Sequence, residues 1–150
     1  MLNLLTAFTN FTAYYPILTA LSFKDNVTAA CVIVVACLSA ISHLFESHIH
    51  NMWGFGCPSS ISYLLDRLGV AGVIVIMSRV IQLWASSNIK SGIITDNIRR
   101  ALLLFLSVVC NIISERDEGF MYYLPLHCMW HMSIFLMLNS FLKSIYSTSS

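Results

Sequence analysis

Charged side chains are scarce in this chain. Asp, Glu, Lys and Arg supply 10% of its 150 residues, against about a quarter in an ordinary soluble domain. The formal net charge is only +1, and no basic tract stands anywhere along the chain, so there is no electrostatic footprint for nucleic acid. No cleavable leader is expected either: no basic region precedes the first apolar run, and Tyr14, Tyr15 and Pro16 do not resemble a small-residue cleavage site. The first segment is therefore expected to be retained as a span. Nor is there a disulfide framework. Cys31, Cys37, Cys110 and Cys128 lie within apolar runs and only Cys57 falls in a loop, a pattern of packing thiols. With no internal repeat, low-complexity tract or linker, residues 1–150 read as one transmembrane helical domain.

What remains is hydrophobic: 57% of the residues. Five apolar segments run roughly from Leu2 to Phe23, Val27 to Phe45, Ile61 to Ala85, Ile98 to Ile113 and Phe120 to Leu142. A membrane-crossing helix needs about 20 such residues, or about 17 at the short end. The expected fold is an all-α membrane protein, a polytopic bundle of about five transmembrane helices. The first two segments are joined by a tight helical hairpin across Ser22 to Asn26. The fourth is the weakest, being short and preceded by Asp96, Arg99 and Arg100. Between the second and third lies a loop carrying Gly54, Gly56 and Pro58 together with His48, His50 and Trp53, which reads as a turn-rich interfacial stretch.

Counting crossings brings four polar residues to one depth. His43 is late in the second segment, Asp66 early in the third, and His127 and His131 in the first half of the fifth. With alternating crossings all four approach the same membrane face. Lys24, Lys90, Arg99, Arg100 and Lys143 gather at the other, with Arg79 able to snorkel there. The Lys/Arg bias makes that second face cytoplasmic. The N-terminus and the polar site then face the lumen or exterior, and the C-terminus is cytoplasmic. The sequon Asn26-Val27-Thr28 would lie on the cytoplasmic face, so a glycan there would reverse the orientation.

His127 and His131 are four apart, on one face of a helix. Three imidazoles with one open position form a recurrent catalytic zinc arrangement, in which the metal lowers the pKa of coordinated water toward about 7. Asp66 is placed to take a proton from that water. Ser39, one turn before His43, is placed to hydrogen-bond a ligand, the water or a developing oxyanion. Singly, each residue has a plainer role: histidines bonded between helices, an aspartate opening a helix, a small packing serine. Together, in so uncharged a chain, they read as one site.

Ser39-x-x-x-His43 near the end of an early span, Asp66 within Leu65-Asp66-Arg67-Leu68-Gly69, and His127-x-x-x-His131 in the last span resemble the CREST superfamily of membrane hydrolases. That group includes alkaline ceramidases, the adiponectin and progestin receptor family, and GPI-lipid-remodelling proteins. All five signature positions occur in the family's order, and Trp130 before the second histidine is also typical. The resemblance implies that His43, His127 and His131 hold zinc and that Asp66 and Ser39 assist the chemistry. It further implies hydrolysis of an amide or ester bond of a membrane lipid, ceramide-like or acyl-lipid. The family has seven spans where five are expected here, the shortfall lying between Asp66 and His127.

Two other classes compete with the hydrolase. One is a receptor, scaffold or subunit of a larger membrane complex or oligomer that keeps the site without turnover. The other is a b-type haem protein using His43 with His127 or His131 as axial ligands. The latter gives Asp66 no role and leaves one histidine over.

Overall fold

The structure is a computed structural model and describes residues 2–45, 59–86, 94–116 and 122–149; for a few residues inside these ranges only the backbone is described. Among the described residues there is no strand. Helices α1 (Leu2–Thr9), α2 (Tyr14–Ser22), α3 (Asn26–Phe45), α4 (Ser59–Ser86), α5 (Ile94–Arg116) and α6 (Tyr123–Ser149) make an all-α fold. They cover the five apolar segments, with α1 and α2 sharing the first. The expected site-adjacent loop residues His48, His50 and Trp53 lie outside the described residues.

The first segment is not one uninterrupted α-helix. A 3-10 turn, Asn10–Ala13, separates α1 from α2. Pro16 supplies the reason: it has no N–H to donate, and its ring crowds the carbonyl four residues earlier, at Thr12. The connection from α2 to α3 is as short as expected. Phe23 ends α2, the Lys24 N–H reaches the Leu21 carbonyl (3.0 Å), and the Asp25 N–H reaches the Ala20 carbonyl (2.9 Å). This is a Schellman stop, and Lys24 takes its left-handed position at φ 61°. The next residue starts the following helix: the Asp25 carboxylate accepts the Thr28 N–H at 3.0 Å as an N-cap.

Side-chain pairs fix the directions. Thr19 donates to Asn139 (2.7 Å) and Phe23 stacks on Tyr146 (4.8 Å), so the first segment runs parallel to α6. Arg79, late in α4, reaches Thr28 and Asp25 at the start of α3, so α3 and α4 are antiparallel. Ser107 meets Ser133 (2.7 Å) and Arg100 donates to Ser140 (3.3 Å), so α5 and α6 are antiparallel as well. Successive segments thus alternate in direction. α4 packs chiefly on α3, α5 packs on α6, and α1–α2 fill the space between α3 and α6.

Burial is distributed in an unusual way. Val32, Val35, Phe135, Leu138, Leu142 and Ile145 belong to an apolar centre. Yet Thr6, Asn10, Thr28, Ser107, Ser114 and Ser133 are also buried, whereas Phe8, Phe11 and Phe105 are 67–69% exposed. Small side chains mediate close helix approach. Ser107, Cys110 and Ser114 form the buried seam of α5, and a Cβ on Gly72 of α4 would collide with the Val35 side chain of α3.

Of the five stretches expected to cross a membrane, two are long and apolar enough to do so by length and composition among the described residues: Asn26–Phe45 and Arg67–Ala85. The others carry what lowers their hydropathy. Thr6, Thr9 and Asn10 punctuate the first segment; Asp96, Arg99, Arg100, Glu115 and Arg116 flank α5; His127, His131 and Asn139 interrupt α6.

Candidate metal centre

His43 stands in the last turn of α3, and His127 and His131 stand on one face of α6, early in that helix. The first segment holds α3 and α6 side by side, so the three imidazoles meet in the gap between them. All three are buried: His43 is 8% exposed, His127 4% and His131 2%. Their ring nitrogens lie within 4.8 Å of one another, and the trio can hold a metal ion. His43 Nε2 is 3.2 Å from His127 Nε2 and 3.3 Å from His131 Nε2.

Those spacings test the fit. Tetrahedral zinc with Zn–N bonds of about 2.0–2.1 Å sets its ligand nitrogens about 3.3 Å apart. The donor set is also chemically suitable, since imidazole serves zinc and several other transition ions. The same distances allow one proton on His43 Nε2 to be shared between its two neighbours; a cation would serve all three nitrogens at once.

Aromatic neighbours set the ring planes. Tyr123 stacks on His127 at 4.9 Å, and Trp130 lies edge-on to the same ring at 5.0 Å and tilted over His131 at 4.7 Å. Tyr123 is itself 2% exposed, so its stack on His127 is fixed from behind by packing.

Ser39 is where the sequence spacing predicts, one turn before His43, with Oγ 3.5 Å from His131 Nε2. This is the outer limit of a hydrogen bond, and the serine borders the cluster without closing on it. Asp66 lies on α4, and its side chain is outside the described residues. Its backbone position still settles two points. α4 begins at Ser59, so Asp66 is nearly two turns inside the helix and does not open it, beyond the reach of the N-terminal dipole. Taking the close approach of Gly72 to Val35 as a common level, Asp66 is about 9 Å and His43 about 12 Å toward the same end of the antiparallel pair. The two residues therefore share a depth.

Sequence reasoning missed three residues. Thr9 Oγ1 lies 2.9 Å and Asn10 Nδ2 3.3 Å from His131 Nδ1, and both of these side chains hydrogen-bond the Thr6 carbonyl. The signal was there: Thr6, Thr9 and Asn10 have the i, i+3, i+4 spacing of one helical face inside an apolar segment.

Fold and site together define a bundle of antiparallel helices with a buried three-histidine cluster toward one end. The chain is 33% identical over 153 residues to uncharacterized protein L282 of Acanthamoeba polyphaga mimivirus, an alignment covering 97% of this chain and 99% of that protein. It belongs to the family of that viral protein. No family model matches the chain, and no solved structure matches it.

Proposed function

We propose that this protein is a zinc-dependent membrane hydrolase that cleaves an amide or ester bond of a membrane lipid. The observation that carries the reading is the convergence of three buried imidazoles, from the end of α3 and the first half of α6, with His43 Nε2 at zinc-ligand spacing from Nε2 of both His127 and His131. The resemblance of Ser39, His43, Asp66, His127 and His131 to the CREST signature supports it. A zinc ion held by the three histidines would supply Lewis acidity, making water nucleophilic near neutral pH. The protein's own groups do the rest. Asp66, at the depth of His43, takes up the proton that water gives up. Ser39 offers a hydroxyl to the developing oxyanion. Tyr123 and Trp130 keep the histidine rings fixed.

In this reading the five segments form a five-span bundle. Their alternating directions, exposed Phe, Leu, Ile and Val side chains and buried polar seams suit a hydrocarbon surrounding. The end holding Lys24 and Arg79 faces the cytoplasm, and the histidines and N-terminus face the opposite side. The acyl chains of the substrate lie among the apolar helix faces.

A second reading, a metal-holding receptor or complex subunit without turnover, is favoured by one observation. Among the described residues, α5 packs on α6 and on no other helix. The haem alternative is not favoured: the three imidazoles already pack edge-to-face or tilted, at centroid spacings of 4.8–5.0 Å, with no room for a porphyrin between them. The deciding experiment is metal analysis of purified protein beside a lipid-hydrolysis assay. One zinc per chain with hydrolysis that fails in His127→Ala is the expected result. Zinc without hydrolysis selects the receptor or subunit reading, and absence of metal removes both.

A further inference from the structure

The three polar residues of the first segment do more than fill space beside His131. A hydroxyl has one proton to donate, and Thr9 gives its proton to the Thr6 carbonyl at 2.6 Å. Toward His131 Nδ1, 2.9 Å away, the Thr9 oxygen can then only accept. An acceptor at that distance calls for a proton on Nδ1.

The Asn10 amide does not fix the proton: its nitrogen faces Nδ1 at 3.3 Å and the Thr6 carbonyl at 3.5 Å, and a half-turn would turn an acceptor toward Nδ1 only by giving up the Thr6 bond.

From this we infer that Thr9, its own proton held by the Thr6 carbonyl, is a positioning residue that locks His131 in the Nδ1–H tautomer. Its Nε2 lone pair then points at His43 and at the centre of the cluster. This assignment rests on the metal-site reading for its purpose, but the tautomer is a property of the protein without metal. Metal-ligating histidines commonly donate their second ring N–H to such a partner, and removing the partner typically weakens metal affinity by 10–100-fold. The device sits at opposite ends of the chain, 122 residues apart, so the N-terminal helix becomes part of the metal centre without ligating it.

The test uses the full chain in lipid nanodiscs with 15N-labelled histidine, first with metal removed by chelation. His131 resonances, assigned by comparison with His131→Gln, are expected to show protonated Nδ1 and unprotonated Nε2. Thr9→Val keeps the shape but removes the acceptor; it is expected to redistribute that tautomer and to raise the zinc dissociation constant by about 10–100-fold. Thr9→Ser restores both. A wild-type His131 protonated on Nε2 overturns the inference even if Thr9→Val does not fold, and so does a folded Thr9→Val with unchanged tautomer and affinity. If the tautomer is as stated but wild type takes up no zinc, the metal reading fails while the assignment of Thr9 stands.

Discussion

Helix α3 joins two polar clusters of opposite character, one part-buried and one buried. Asp25 caps its start and His43 stands near its end, about 27 Å apart at 1.5 Å per residue. At the first, the Asp25 carboxylate accepts from the Thr28 N–H (3.0 Å), the Thr28 hydroxyl (2.7 Å), Arg79 (3.1 Å) and Tyr146 (2.9 Å). Each acceptor meets a donor and the single negative charge meets a single positive one. At the second, three imidazole nitrogens face one another with His43 Nε2 3.2 and 3.3 Å from its two neighbours. The balance of donors, acceptors and charge is what separates the two clusters. The Asp25 cluster is complete within the protein and ties α3, α4 and α6 together. The histidine cluster is one that could hold a cation.

The largest effect expected from breaking this contrast is at the histidine end. His43→Ala should lower zinc affinity by at least about 100-fold, more than loss of an outer partner does, while helical content by circular dichroism stays near wild type. A variant that loses zinc only because it unfolds would erase the contrast.

The converse variant is Arg79→Leu. It leaves the Asp25 carboxylate, with a side chain 10% exposed, without its counter-charge. The guanidinium is 32% exposed, so a loss of about 2–3 kcal/mol is expected, below the 3–5 typical of a fully buried pair. Reversible unfolding in detergent would read it, and zinc stoichiometry should not change.

The same cluster sets an acid limit. Burial pushes the Asp25 carboxyl up, but the Thr28, Tyr146 and Arg79 hydrogen bonds outweigh it, and the net shift is below the ordinary 3.8. A carboxyl whose folded pKa is depressed contributes stability that is fully present above the unfolded value. That contribution falls as pH drops from about 4 through the folded pKa. Asp25→Asn should lack this acid limb. On the other side of the hydrogen bond, burial first and the Asp25 charge after it push the Tyr146 hydroxyl up to about 12, so it remains a donor throughout the neutral range.

Between the two ends, Gly72→Ala presses a methyl group into Val35 and should cost about 1–3 kcal/mol, much of it recovered in Gly72→Ala/Val35→Ala. The smallest effect concerns the turn. Lys24 holds φ 61°, and Lys24→Gly should stabilise the hairpin by up to about 1 kcal/mol. Thermal denaturation that shows no gain would place the strain elsewhere.

The helical segments were legible because apolar length is a strong signal, and the convergence of His43, His127 and His131 followed from counting directions. Three things were less legible. The 3-10 break before Pro16 depends on one ring crowding one carbonyl, which a hydropathy pattern averages away. The Asp25–Arg79–Tyr146 network needs the register of three helices, and Tyr146 lies beyond the apolar run as drawn, on the part of α6 that continues to Ser149. Thr9 and Asn10 were visible as polar residues in an apolar segment, but only the parallel packing of that segment on α6 gives them an object.

That parallel packing has a consequence for the order of events during synthesis. Thr9 with His131, Thr19 with Asn139 and Phe23 with Tyr146 join α1 and α2 to α6, which is made well after them. Non-local closure of this kind is slow compared with forming the helices themselves. The histidine cluster cannot exist while the ribosome is still making α6, however well α1 to α5 are folded. A ligand that binds only the closed form stabilises it by mass action. Metal uptake would then act as the final latch on the chain, reporting that both of its ends have been brought together.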